Sequence, residues 1–220
     1  MSSISLSTSS RFRDPFSGFS HLAGAIIGFI ASAILIFKAS LYGDAWQIAS
    51  FAIFGLCMIL MFGSSAIYHL AQGSDEKLLK LKRIDHMAIF AMIAGTYTPI
   101  CVVALRESFG LMLLIVVWSL AFSGILLKIF WIGAPRWLST LIYLAMGWAC
   151  VFGLSTMKEV MPDISFDWLF YGGIAYTLGA VIYATKWPDP WPESFGFHEI
   201  WHIFVMAGAF SHFISIYYLL

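Results

Sequence analysis

Seven predominantly apolar blocks divide this chain, each long enough as a helix to cross most or all of a bilayer, and short polar stretches separate them. A helix rising 1.5 Å per residue needs about 20 residues to span the ~30 Å hydrocarbon core. The blocks lie near residues 18–39, 45–71, 84–105, 109–131, 136–154, 168–186 and 197–220. They follow neither a period-2 nor an amphipathic pattern, so neither half-buried strands nor the surface helices of a soluble domain fit them. Composition agrees: 60% of the residues are hydrophobic and 11% charged, where a soluble domain carries about 25% charged residues. The reading is an all-α membrane protein with seven transmembrane helices. It forms one domain over residues 18–220, behind a flexible polar N-terminal tail of residues 1–17 that is rich in serine.

Charge sets the expected orientation. If the N-terminus is cytoplasmic, nine Lys and Arg residues lie on that side: Arg11, Arg13, Lys77, Lys80, Lys82, Arg83, Lys128, Arg136 and Lys186. Lys38, Arg106 and Lys158 remain on the other. The excess predicts the N-terminus inside and the C-terminus outside. A formal net charge of zero and the lack of a large basic cluster argue against a nucleic-acid partner. Cys57, Cys101 and Cys150 sit inside apolar blocks without a C-x-x-C pair, and read as small packing residues. The polar start has no n-region leading into a short apolar stretch, so no cleavable signal peptide is expected. Gly24 and Gly28 form a small-xxx-small pair suited to close helix approach. Pro99 predicts a kink in the third span. Trp131, Trp137, Trp168, Trp187 and Trp191 mark the interfaces, and the proline-rich loop at 187–192 is suited to fixing the start of the last helix.

The chemistry gathers at one depth. His198 and His202, four apart, fall on one face of the seventh span, one turn above the other. With this topology His69 ends the second span, Asp85 and His86 begin the third, and His21 begins the first. All lie within about two turns of the cytoplasmic border. Imidazoles in an apolar segment are costly without partners. His69, His198 and His202 on Zn²⁺, with a fourth position open to water, is the simplest constellation, and it has the pattern of a catalytic zinc site. Asp85 suits a general base or a carboxylate that orients water. Ser65, four residues before His69, suits holding an oxyanion or that base. His86 points about 100° away from Asp85 and is not expected beside the ion with it. Glu199 reads as a solvated carboxylate at a helix start. His212, about 15 Å deeper than His202, reads as an internal hydrogen-bonded group. His21 is left between a supporting and an interfacial role.

These residues resemble a known family. Ser64-Ser65-Ala-Ile-Tyr68-His69, then Arg83-Ile-Asp85-His86 running on to Ala94-Gly95-Thr96-Tyr97-Thr98-Pro99, then Gly196-Phe-His198-Glu-Ile-Trp-His202 are similar to the bacterial hemolysin III proteins. Those belong with the progestin and adiponectin receptors (PAQR), in a wider group that includes alkaline ceramidases. The resemblance covers the chain from His21 to its end. It implies a seven-helix fold and zinc held by His69, His198 and His202, with Asp85 holding the zinc-bound water and Ser65 nearby. The family often has Glu and Asn ahead of the first-span histidine, where this chain has Asp14-Pro-Phe-Ser-Gly-Phe-Ser-His21.

The functional expectation is a zinc-dependent hydrolase of a lipid amide or ester, because a lipid's carbonyl lies near the headgroup border where these residues gather. The expected partner is therefore a membrane lipid. The rival readings are a non-enzymatic sensor with structural zinc, a pore-forming cytolysin and a bis-histidine haem protein. A wide aqueous pore would need a polar stripe along a span, and no span carries one. A retinal-type receptor would need a lysine in the seventh span, where none stands.

Overall fold

The computed structural model describes residues 12–192 and 194–220. Most of the expected polar tail, residues 1–11, lies outside the described residues. Eight α-helices build seven membrane-length spans: α1 (Pro15–Tyr42), α2 (Ala45–Leu70), α3 (Asp75–Pro99), α4 (Gly110–Phe130), α5 (Arg136–Gly147), α6 (Leu154–Val160), α7 (Asp163–Thr185) and α8 (Phe197–Tyr217). The fifth span is composite, with α5 and α6 joined by a 3₁₀ stretch, Trp148–Gly153. The expected all-helical membrane fold is borne out, and seven helical spans are present among the described residues.

The spans close into a ring in chain order: α1 packs on α2, α2 on α3, α3 on α4, α4 on α5, α5 on α7, α7 on α8, and α8 back on α1. Large apolar side chains such as Phe29, Phe37, Phe122 and Phe130 face outward, as a lipid-facing belt requires. Inside, the core has two parts. One joins α1, α2 and α8 around Leu35, Phe51, Phe54 and Phe62. The other joins α3, α4 and the fifth span around Phe90, Ile100, Leu105 and Met146. Close approach between helices depends on missing side chains at two places. A Cβ on Gly24 would stand 2.9 Å from the Phe62 ring, and one on Gly124 would stand 2.2 Å from the Phe90 ring. The first of these is half of the small-residue pair read from the sequence.

Several boundaries differ from expectation: α1 begins at Pro15, inside the expected tail, and the sixth span begins at Asp163, not near residue 168. The third span starts at Asp75, not near residue 84, because the charged stretch is itself helical. Ser74 caps it by accepting from Lys77 N–H, and Asp75 and Glu76 occupy the first turn, where carboxylates suit the helix dipole. Hydropathy reads those residues as a connection, whereas cap and dipole make them the protruding first turns of the span. The fifth span runs on to Val160 and is broken at Trp148–Gly153. Pro99 is followed by a π-helical turn, Ile100–Ala104, closed by Leu105 N–H on Ile100 O at 3.0 Å. Proline removes a helical donor, and the winding changes in the next residues. Cys57 and Cys101 are buried and Cys150 half-buried, all as free thiols.

Each rim of the bundle is tied separately. At one end, Asp44 caps α2 and pairs with Arg106 at 2.8 Å, while the Lys38 ammonium donates to the Tyr217 and Leu220 carbonyls. At the other end, the stretch before α1 crosses over α2 and α8, and the site lies there.

Candidate metal centre

Three histidines converge at that second rim. His198 and His202 stand one turn apart on α8, so helical geometry alone aims both rings the same way. The structure adds His69, in the last turn of α2. His198 Nε2 stands 3.4 Å from His69 Nε2 and 3.1 Å from His202 Nε2, and ligand atoms of the three all lie within 4.8 Å of one another. Two nitrogens on one tetrahedral zinc, each about 2.1 Å from it, stand about 3.4 Å apart. The spacing therefore suits one ion. His69 and His202 are buried and His198 half-buried, so the triad is shielded from bulk water.

The tautomer of His69 follows from its other nitrogen. His69 Nδ1 lies 3.0 Å from Asp14 Oδ2, and a carboxylate can only accept, so Nδ1 carries the proton and Nε2 presents its lone pair to the cluster. A carboxylate behind an imidazole in this way is the arrangement that orients metal ligands. Arg13 Nε donates to the same oxygen at 3.0 Å, and its guanidinium lies 4.1 Å from the centre of the Tyr68 ring. The hydrogen bond from His69, helped by Arg13, holds the Asp14 carboxyl below the usual carboxylate range despite its partial burial. Asp14 N–H also donates to His69 O at 3.0 Å, so the chain entering α1 is fastened to the end of α2 at two points.

A family model described as Haemolysin-III related matches residues 9–213. The chain belongs to that family. It is similar to the "Hemolysin-3 homolog" of Bacillus subtilis (strain 168), 38% identical with 89% of each chain covered. It is also similar to "Hemolysin-3" of Bacillus cereus, 36% identical over 91% of this chain and 89% of that one. At greater distance it matches the human "Monocyte to macrophage differentiation factor", 24% identical over 87% of this chain and 78% of the relative.

Within this haemolysin-III fold, the other residues singled out by sequence fall into distinct places. His21 is buried and stacks on His202, ring centres 3.8 Å apart, with Phe62 edge-on at 5.0 Å. It supports the triad from α1. Asp85 and Ser65 are both buried and line, together with His69, the same end of the interior. His86 points into the same interior but is not part of the triad. His212 Nε2 reaches Leu169 O at 3.2 Å, the internal hydrogen bond expected of it. Glu199 departs from expectation, being half-buried rather than solvated. It accepts from Gly196 N–H at 2.9 Å and from the Ser17 hydroxyl at 3.1 Å, so it caps α8 and ties it to α1. Asp189 of the proline-rich loop accepts from Phe197 N–H at 3.0 Å, and this fixes the start of α8.

Below the triad lies a cavity of about 650 Å³. Its upper wall holds His69, His198, Asp85 and Ser65, and it continues between α3, the fifth span, α7 and α8 to an apolar floor of Ile100, Leu154, Met157 and Phe166. That size and lining suit an elongated, mostly apolar ligand with a polar end at the triad. The sequence reading missed Asp14, Arg13 and Ser17. The one signal available was the departure from the family pattern ahead of His21, and nothing local marks Asp14 as the partner of a residue 55 positions away.

Proposed function

We propose that this haemolysin-III family protein is a zinc-dependent hydrolase of a lipid amide or ester in the bacterial cytoplasmic membrane. The observation that carries the reading is the buried carboxylate of Asp85, lining the polar end of a long apolar cavity with His69 and His198 of the three converging imidazoles. His69, His198 and His202 would hold the ion, and their spacing and the donor Nδ1–H of His69 support that. Zinc in such a site supplies Lewis acidity, polarising a carbonyl and lowering the pKa of water to about 7.

The chain's own residues supply the rest. Asp14 fixes the plane of the His69 ring. The cavity takes an acyl chain and excludes water along it. Asp85 accepts the proton that the attacking water must lose and returns it to the leaving group. The Ser65 hydroxyl either holds Asp85 in line or donates to the developing oxyanion. A lytic pore, suggested by the name of the Bacillus cereus relative, receives less support, because Ile100, Leu154, Met157 and Phe166 would offer nothing to an ion deeper in the cavity.

The test is Asp85→Asn, which keeps size and hydrogen-bonding reach but removes the base. Zinc content should stay near wild type, while release of fatty acid from lipids in nanodiscs falls by about 10²–10⁴-fold. Equal turnover in the two proteins would remove Asp85 from the mechanism. A wild type that retains zinc and cleaves no amide or ester lipid would favour a sensor.

A further inference from the structure

A second group of side chains lines the same cavity, and the triad makes no use of it. Lys128 lies in the last turn of α4. A lysine at such a place in a spanning helix normally extends outward, keeping its ammonium at the headgroups. Here the residue is 1% exposed, and Nζ turns inward to donate to Ser139 Oγ on α5 at 2.5 Å. An ammonium has three N–H groups, so a single hydroxyl leaves it under-satisfied. Arg136, the first residue of α5, lines the same cavity, on the side of α7 and α8. Its guanidinium lies 4.8 Å from the centre of the Tyr183 ring and 5.3 Å from that of Phe197, and Nη1 is buried without a hydrogen-bond partner among the described residues. Lys82 lines the cavity from α3.

Among the described residues none of the three cations forms an ion pair, whereas Lys38, Lys80, Arg106 and Lys158 at the rims all find oxygen partners. The carboxylates nearest the cavity are otherwise engaged. Asp14 is held by His69 and Arg13, and Asp85 lies near His69, with Lys82 acting on it only at a distance and forming no ion pair with it. A buried cation without a counter-charge is destabilising, and its retention beside a cavity points to an anion supplied from outside. Three donors arriving from three helices suit a tetrahedral oxyanion with several free oxygens better than a planar carboxylate.

We propose that Lys82, Lys128 and Arg136 form a phosphate subsite, and that the ligand of this cavity is an anionic phospholipid with its acyl chain on the apolar floor. As a statement about substrate this rests on the hydrolase reading, naming a phosphate-bearing lipid over a neutral one such as ceramide. As a statement about binding it stands without that reading. The phosphate then anchors the headgroup between these three cations, and the neighbouring ester carbonyl lies toward the triad.

The experiment measures binding, with zinc content determined on the same samples. Purified protein in detergent is titrated with dihexanoyl phosphatidic acid, with dihexanoylglycerol as the neutral counterpart and with inorganic phosphate alone. The phosphatidic acid should bind at least tenfold more tightly than either. Lys128→Met and Arg136→Gln should each lower its affinity about tenfold, the worth of one charge-assisted contact, with zinc unchanged. Lys128→Arg should recover most of the loss, and Lys38→Gln at the opposite rim should have no effect. Lys82→Gln, at a half-buried position, tests the same subsite if Lys128→Met does not fold. Equal binding of the neutral glyceride would overturn the proposal. Inorganic phosphate binding as tightly as the lipid would overturn its lipid half. Tight phosphatidic acid binding without hydrolysis would leave the subsite standing and count against the hydrolase. Turnover of ceramide without phosphatidic acid binding would do the reverse.

Discussion

Asp14 offers the sharpest test of how the triad is built, because it holds His69 without being a candidate ligand. In Asp14→Ala the carboxylate that accepts from His69 Nδ1 is lost, while the backbone bond from residue 14 to His69 O at 3.0 Å does not depend on the side chain. The fold around α1 and α2 should therefore survive and the imidazole should lose its orientation. Loss of such a supporting partner typically weakens metal binding by about 10–100-fold. Two features place this case at the lower end. The Asp14 side chain is 39% exposed, and Arg13 shares the same oxygen at 3.0 Å, withdrawing charge from the His69 bond. The expectation is about tenfold, equivalent to ~1.4 kcal/mol. Asp14→Asn keeps an acceptor but not the charge, so it should fall between wild type and Asp14→Ala. Arg13→Ala frees the carboxylate and should not weaken binding. Competition for zinc against a chromophoric chelator in detergent gives all four affinities. If Asp14→Ala bound zinc as tightly as wild type while His69→Ala lost it, the carboxylate would have no part in holding the metal ligand. A loss in Arg13→Ala as large as in Asp14→Ala would instead indicate that the stretch before α1 acts by packing.

Other outcomes follow from the histidine cluster, the charge distribution and the helix packing. His69→Ala, His198→Ala and His202→Ala should each lose the metal, and elemental analysis finding full occupancy in any of them would remove that residue from the ligand set. A reporter active only in the cytoplasm should be active when inserted at residues 73–83 and silent when fused after Leu220, as the distribution of Lys and Arg requires. The opposite pattern would invert the membrane orientation. Gly124→Ala, whose methyl would meet the buried Phe90 ring, should destabilise the protein by about 1–3 kcal/mol. Gly63→Ala has open space around it and should be near neutral. Thermal unfolding in one detergent compares the two, and equal midpoints would show that α3 and α4 are not in tight contact at Gly124.

The sequence by itself determined the membrane, the number of spans and the ligand candidates. Apolar blocks of spanning length leave a helix as the way to satisfy every backbone group in lipid. The i,i+4 spacing of His198 and His202 fixes their shared face whatever the rest of the chain does. Chain order then brings His69, His21 and Asp85 to the same rim, because alternate connections fall on alternate sides. All of these are properties of one helix or of counting helices. The tertiary structure decided what depends on which helix touches which. Asp14 reaches His69 because α1 crosses the end of α2, and a lone aspartate before a proline carries no local mark of that contact. The first turns of α3 look like a charged connection until Ser74 and Asp75 are seen capping them. Lys128 and Arg136 count in the sequence as two more positive charges on one side of the membrane. Their inward direction depends on neighbours from other helices, Ser139 accepting from Lys128 and the Tyr183 and Phe197 rings lying against Arg136, and no count along one helix contains those contacts.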